Sequence, residues 1–460
     1  MSLDSRLDFG AWAPALTAGE HSEAYLESGH GTAINFEDSH VTEVNAGSDH
    51  GAGLRYLVPQ KGAIETIYGS INDFDPAAAR AMADRLLAGL PRNPTPKEIS
   101  RIIRPHKVAI DPIQVPMERK VNLLKSIDQV VRTEFPHIVQ VGLTYAERIK
   151  KFAVLDGTGS VHFGERVSVV LVISVTAERD GLLQNSLEVI GGLKGYEILD
   201  DFNPLRAARR AAANAVAKLD APVAQAGEAT VVLAASAGGT FVHEAIGHSL
   251  EADHVQEGSS PHYVGKIGQP IAREFLTIVD DPTLPCYRGS FPFDDEGVDA
   301  KPTPVVKNGV LTDYLYDRLS GMRDRRPSNG HGRRESFRHR PIPRMSNLYI
   351  APGPDDPAKI IQELDRGLLV TQMGGGEVNT ATGEFVFGVD EGFWVEGGKI
   401  KHRVRDANIL GVGPEILQSI DRLGWDIGWG IGTCGKEGQG VPVADGQPTL
   451  RIPKMLIGGR

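Results

Sequence analysis

Thr240-Phe-Val-His243-Glu244-Ala-Ile-Gly247-His248-Ser-Leu250 places two histidines five residues apart, with a glutamate directly after the first. Two neutral imidazoles and an adjacent carboxylate are what a protein needs to hold a zinc ion and to take a proton from water. The common zinc-protease spacing is H-E-x-x-H, in which an i, i+4 step puts both rings on one helix face. Here the step is one residue longer. On an α-helix five residues rotate about 140°, which splays the rings apart, whereas in a π-type turn of about 4.4 residues the same step rotates about 50°. The spacing therefore predicts a widened or kinked helix if both rings serve one metal. Gly247 inside the step fits a departure from α geometry, since a mid-helix glycine costs about 1 kcal/mol relative to alanine. The bland alternative is an amphipathic helix with two unrelated histidines.

A catalytic zinc usually has three protein ligands and one open position. His254 lies six residues after His248, the offset of the H-E-x-x-H-x-x-G-x-x-H proteases, but Glu251 replaces the glycine of that motif. The chain has two cysteines, Cys286 and Cys434, either of which could be a plain buried thiol. Cys434 stands apart because it sits in a glycine-rich stretch, Gly430 to Gly440, expected as a loop, where Lys436 would favour the thiolate. The same stretch matches G-x-x-x-x-G-K, yet Glu437 occupies the Mg²⁺-binding position, and Pro442 and Pro448 forbid the helix that should follow. Nucleotide binding is set aside on those grounds.

The chain has 460 residues, 41% hydrophobic content and a formal net charge of −10. Two domains and sizeable cores are expected at that length. Two cysteines argue against a disulfide-built protein. The absence of an N-terminal signal-like segment or an apolar run near 20 residues predicts a cytoplasmic protein without a membrane span. The acidic balance predicts no nucleic-acid partner. The densest basic stretch, Arg323 to Arg344, is expected either as a solvated loop or as a guanidinium cluster for a substrate carboxylate.

Alternating segments from Glu20 to Asn72 predict antiparallel strands, followed by helices at Asp75–Ala88 and Pro116–Arg132. Lys151–Leu155 and Val167–Thr176 look strand-like, and Asn203-Pro204 opens a helix reaching Leu219. Asp220–Glu228 is expected as a linker. The fold class is thus α+β: an N-terminal α+β domain, residues 1–222, followed by a β-rich catalytic domain, residues 223–460, carrying the HExxxH helix. In the latter, strands are expected at Thr230–Ala235, Phe275–Val279, Leu368–Val370, Glu384–Phe387, Gly392–Val395 and Thr449–Ile452, with a helix at Pro414–Leu423.

His243–Asp253, Gly289–Gly297, Tyr316–Ser320, Asn329–Arg334, Arg344–Asn347, Gly374–Gly376 and Gly432–Gln439 together resemble the TldD/PmbA (TldD/TldE) metallopeptidases. That resemblance implies zinc held by His243, His248 and Cys434, with Glu244 as the catalytic carboxylate. It also implies a TldD-like, catalytic member, since TldE/PmbA-like chains lack the motif. The expected activity is hydrolysis of unfolded or short peptides by a dimer, formed with a TldE/PmbA-like paralogue or with itself. Two rival classes are a zinc amidohydrolase of small molecules and a noncatalytic regulator, a role historically attached to the family through DNA gyrase.

Overall fold

The computed structural model describes residues 3, 8–95 and 100–459. Its first half is built on seven strands: His21–Glu37 (β1), His40–Gln60 (β2), Ala63–Ile71 (β3), Ser100–Arg104 (β4), Ile138–Asp156 (β5), Ser160–Arg179 (β6) and Leu182–Gly192 (β7). The order is β3-β2-β1-β5-β6, with β4 (parallel) and β7 (antiparallel) both pairing β6. Period-two alternation sets the buried face: along β6, Val167, Val169, Leu171, Ile173, Val175 and Ala177 are buried while their neighbours are half-buried. The helices Met117–Glu134 and Pro204–Leu219 cover that surface with Leu124, Ile127 and Val131, and with Ala208, Ala211 and Ala212. As expected, Asn203 caps the second helix, its side chain accepting the Arg206 N–H at 3.2 Å. Pro76–Leu86, capped by Asp75, packs Ala79, Met82 and Ala83 against Trp12, Leu54 and Tyr56.

The second half is also mixed, with strand dominating. Gly227–Leu233 pairs with Arg366–Asn379 on one side and Leu450–Gly459 on the other. Leu450–Gly459 pairs with Ala407–Val412, which pairs with Glu384–Glu396, which returns to Arg366–Asn379, so five strands close a circuit. A separate six-stranded sheet runs Val310–Leu311, Thr303–Lys307, Ile278–Asp280, Asn347–Ile350, Gln439–Gln447 and Gly428–Lys436. The histidine segment lies between the two sheets: Phe241 meets Phe385 edge-on at 5.8 Å, and Ala245 and Ile246 are buried in the same core as Leu348 and Val443. Among the described residues no helix is long and apolar enough to cross a membrane.

Several local expectations are corrected. Glu384–Phe387 and Gly392–Val395 belong to one continuous strand, and Phe275–Val279 shrinks to Ile278–Asp280. The helix expected to reach Leu423 stops at Ser419, and Arg422–Leu423 pairs with Leu450–Arg451 instead. The stretch expected as a linker is pinned: Arg405 donates its N–H to Pro222 O at 3.0 Å, and Ala224 donates to Arg405 O at 2.9 Å.

Buried charge joins the two halves. Arg55 on β2 donates to Glu296 and lies 3.2 Å from Asp317 Oδ2 and 4.0 Å from Glu23 Oε1, with all four groups buried. Removing one partner of such a network leaves uncompensated buried charge, which costs several kcal/mol. Arg55→Met is therefore expected to destabilise the protein by ~3–5 kcal/mol, read from urea unfolding. A loss below ~1 kcal/mol would show that these carboxylates do not depend on the guanidinium.

Candidate metal centre

The segment Thr240–Leu250 passes from a helical turn, Thr240–Val242, into a π turn, His243–Gly247, and then a 3₁₀ turn, His248–Leu250. The His248 N–H bonds back to the His243 carbonyl, the i+5 bond of a π turn. The widening expected from the five-residue step is present, and the two rings sit 5.0 Å apart, centroid to centroid. Gly247 has ordinary right-handed helical dihedrals, φ −54 and ψ −58. A side chain there would collide with Met345 Sδ and Leu348. The glycine thus answers to close packing rather than to an unusual dihedral.

Cys434 comes from far along the chain. Its glycine-rich stretch is a β-hairpin rather than a loop: Gly428–Lys436 pairs antiparallel with Gln439–Gln447, and Glu437 and Gly438 turn the corner at positive φ, 48 and 72. This geometry offers no strand–loop–helix phosphate cradle. It brings one donor atom from each of His243, His248 and Cys434 to within 4.8 Å of one another, a set able to hold a metal ion. His248 Nε2 lies 3.5 Å from Cys434 Sγ. Cys286 is exposed rather than buried, and is not in this cluster.

Each imidazole is backed by a carboxylate. His243 Nδ1 is 2.8 Å from Asp445 Oδ1, and His248 Nδ1 is 3.1 Å from Glu251 Oε2. Such partners fix ring orientation and leave Nε2 as the remaining donor atom. Burial opposes the charged imidazolium, but Glu251 and the Cys434 sulfur raise His248 to about 9. Asp445 carries His243 well above its ordinary value against the same burial penalty. Burial raises the Cys434 thiol, yet hydrogen bonds with His243 and His248 outweigh it and bring the thiol down to about 5. The thiolate is favoured by the histidines. Lys436 is otherwise engaged, 2.7 Å from Asp253 Oδ1 and 3.1 Å from Glu251 Oε2, so it reaches the site through Glu251.

Glu244 is half-buried and lines the same cavity of about 460 Å³ as the trio, with burial raising its carboxyl. His254 also lines the cavity, but its Nδ1 is 2.9 Å from the His248 carbonyl oxygen, and it lies outside the three-residue cluster. Gly376, Glu377 and Val378 form part of one wall, and Thr433 through Lys436 part of another. Gly428–Lys436 is the terminal strand of its sheet.

The arginine stretch is split by burial. Arg323, Arg325, Arg326, Arg338 and Arg340 are exposed. Arg333, Arg334 and Arg344 are buried. Arg334 pairs with Glu23, and Arg344 donates to the carbonyls of Cys434 and Gln439, so these side chains hold the architecture together. Sequence reasoning missed Asp445, Arg344 and the supporting role of Glu251. For Asp445 no local signal exists; Arg344 stood out in the basic stretch, but nothing local pointed to the Cys434 carbonyl, while Glu251 had a signal in its three-residue offset from His248.

Comparison with known proteins agrees with this architecture. Family models described as the PmbA/TldA metallopeptidase domain 1, central domain and C-terminal domain match residues 22–89, 110–219 and 226–459. A Haemophilus influenzae metalloprotease TldD homolog is 32% identical, covering 96% of this chain and 93% of its own length. A Saccharolobus solfataricus zinc metalloprotease TldD homolog is 30% identical over 74% of this chain and 76% of its own. In fold, the chain is similar to the crystal structure of TldE from Thermococcus kodakarensis, with a TM-score of 0.72 at 17% identity, covering 98% of both chains. The chain belongs to the PmbA/TldD metallopeptidase family.

Proposed function

We propose that the protein is a zinc-dependent metallopeptidase that hydrolyses peptide bonds in unfolded or short peptides, with His243, His248 and Cys434 as metal ligands and Glu244 as the general base. The observation that carries this reading is the convergence of two carboxylate-backed imidazoles and a thiolate-favouring cysteine within 4.8 Å, beside a half-buried glutamate. Two nitrogens and one soft sulfur suit zinc rather than calcium or magnesium, and three protein donors match a catalytic rather than a closed structural site. Bound there, zinc would supply Lewis acidity to water and to the scissile carbonyl. Asp445 and Glu251 hold the rings, and Arg344 ties the Cys434 backbone. Glu244 takes the proton of the attacking water as its oxygen bonds the carbonyl carbon, then passes that proton to the amine leaving as the C–N bond breaks. Burial of Glu244 brings its carboxyl towards the range in which such exchange is efficient.

Strand addition is the binding mode this reading favours. The terminal strand Gly428–Lys436 carries Thr433–Lys436 along the cavity, so an extended peptide can pair with its backbone and make few side-chain demands. In the same reading the protein is cytoplasmic, divides at residues 1–222 and 223–460, and works as a dimer with a TldE/PmbA-like paralogue or with itself. A disordered peptide should be cleaved roughly a hundredfold faster than the same segment inside a domain stable by ~3 kcal/mol, because only the open fraction of the latter can be bound. Matched substrates compared at equal concentration, with chelator and zinc-restored controls, test this. Equal rates would refute strand addition, and cleavage unaffected by chelation would refute the metal reading.

A further inference from the structure

On another side of the Cys434 hairpin is a smaller cavity of about 70 Å³, whose walls include Arg148, Lys150, Arg166, Arg288, Arg333 and Arg334. Four carboxylates lie close to this group, and each is already engaged. Glu27 is 3.0 Å from both Arg148 Nη2 and Lys150 Nζ, Asp295 is 3.0 Å from Arg166 Nη2, and Glu23 pairs with Arg334. Glu335, which itself lines the cavity, accepts the Gly440 N–H at 2.6 Å. Among the described residues, neither Arg288 nor Arg333 has a carboxylate within ion-pairing distance. Arg333 donates to the carbonyls of Met345 and Pro442, and Arg288 to Gly432 O at 3.0 Å and Thr433 Oγ1 at 3.1 Å. Arg333 is 2% exposed, and its Nε, like the Nε of Arg166, has no hydrogen-bond partner among the described residues. A buried guanidinium with an unused donor and no directly paired carboxylate is costly, and a bound anion would relieve that cost.

We propose that this cavity is a binding site for one small oxyanion, a tetrahedral phosphate or sulfate or a carboxylate, held chiefly by Arg166, Arg288 and Arg333. Planar N–H forks match the oxygens of these ions, and the volume admits one such group and excludes a nucleotide. The electrostatics agree: burial first, with the nearby Arg166 adding to it, pushes Arg333 down to about 10, against the opposing pull of Asp295 and Asp280. The site is independent of the proposed chemistry, yet Arg288 links it to the backbone of the strand that carries Cys434.

Titration calorimetry of the full chain with inorganic phosphate, sulfate and acetate at constant ionic strength, against chloride, tests the proposal. One saturable site per chain is expected, weakened about tenfold or more by Arg333→Gln and by Arg288→Gln. Arg288 is only partly buried, so its substitution keeps the test valid if Arg333→Gln fails to fold. Displacement of phosphate by acetate would identify a carboxylate as an acceptable occupant, and failure of acetate to compete would restrict the site to tetrahedral ions; both support the site. Absence of saturable binding by all three ions would overturn it. So would binding undiminished in folded Arg288→Gln, the result expected of an anion lodged at the metal centre.

Discussion

Glu244→Gln is expected to leave fold and zinc content unchanged while peptide hydrolysis falls by roughly two to four orders of magnitude. The substitution preserves volume and removes only the capacity to take up a proton. Glu244 lies outside the three-atom donor cluster, so metal affinity has no reason to fall. The ligand candidates on either side of it, His243 on the π turn and His248 just after it, are oriented by Asp445 and Glu251 rather than by Glu244, so their geometry should survive as well. Zinc stoichiometry measured beside kcat separates the outcomes. Activity near wild type would remove Glu244 from the chemistry, and loss of zinc would make it a ligand.

The parts of this site that were legible in sequence are those set by local periodicity. A count of five between His243 and His248 is incompatible with one face of an α-helix, so a widened turn is required if both rings serve one metal, and a π turn is what the segment forms. Alternation along Val167–Thr176 revealed a strand but not its length, because Ser160–Gly164 and Ala177–Arg179 continue it through backbone pairing with β5 and with β4 and β7 respectively. The Gly430–Gly440 stretch looked like a loop because glycine weakens strand propensity. The hairpin is held instead by register with Gln439–Gln447 and by Arg344 bonding the Cys434 and Gln439 carbonyls. Asp445 and His243 are 202 residues apart, and nothing around Asp445 announces the contact. The arginines misled for the same reason. A cationic run is ordinarily solvated, but Arg334 finds its counter-charge in Glu23 on the first strand, 311 residues away.

Cys434→Ala should weaken zinc binding by at least about a hundredfold and abolish measurable hydrolysis, whereas Cys286→Ala should leave both near wild type. Loss of a partner that merely orients a ligand commonly costs ten- to a hundredfold in metal affinity, so loss of a ligand should cost at least the upper end of that range. The contrast between the cysteines is geometric: one sulfur lies 3.5 Å from His248 Nε2, and the other is exposed and outside the cluster. Cys434→Ala is expected to fold, because Arg344 holds that strand through the residue 434 carbonyl rather than through the sulfur. The two thiols also differ in reactivity, since the histidines bring Cys434 down to about 5. In metal-free protein, Cys434 should therefore be alkylated by iodoacetamide at pH 6 when accessible through the cavity, and zinc should protect it. Full zinc occupancy in Cys434→Ala would return His254 or a cavity carboxylate to the third position. Zinc loss in Cys286→Ala would place the site elsewhere.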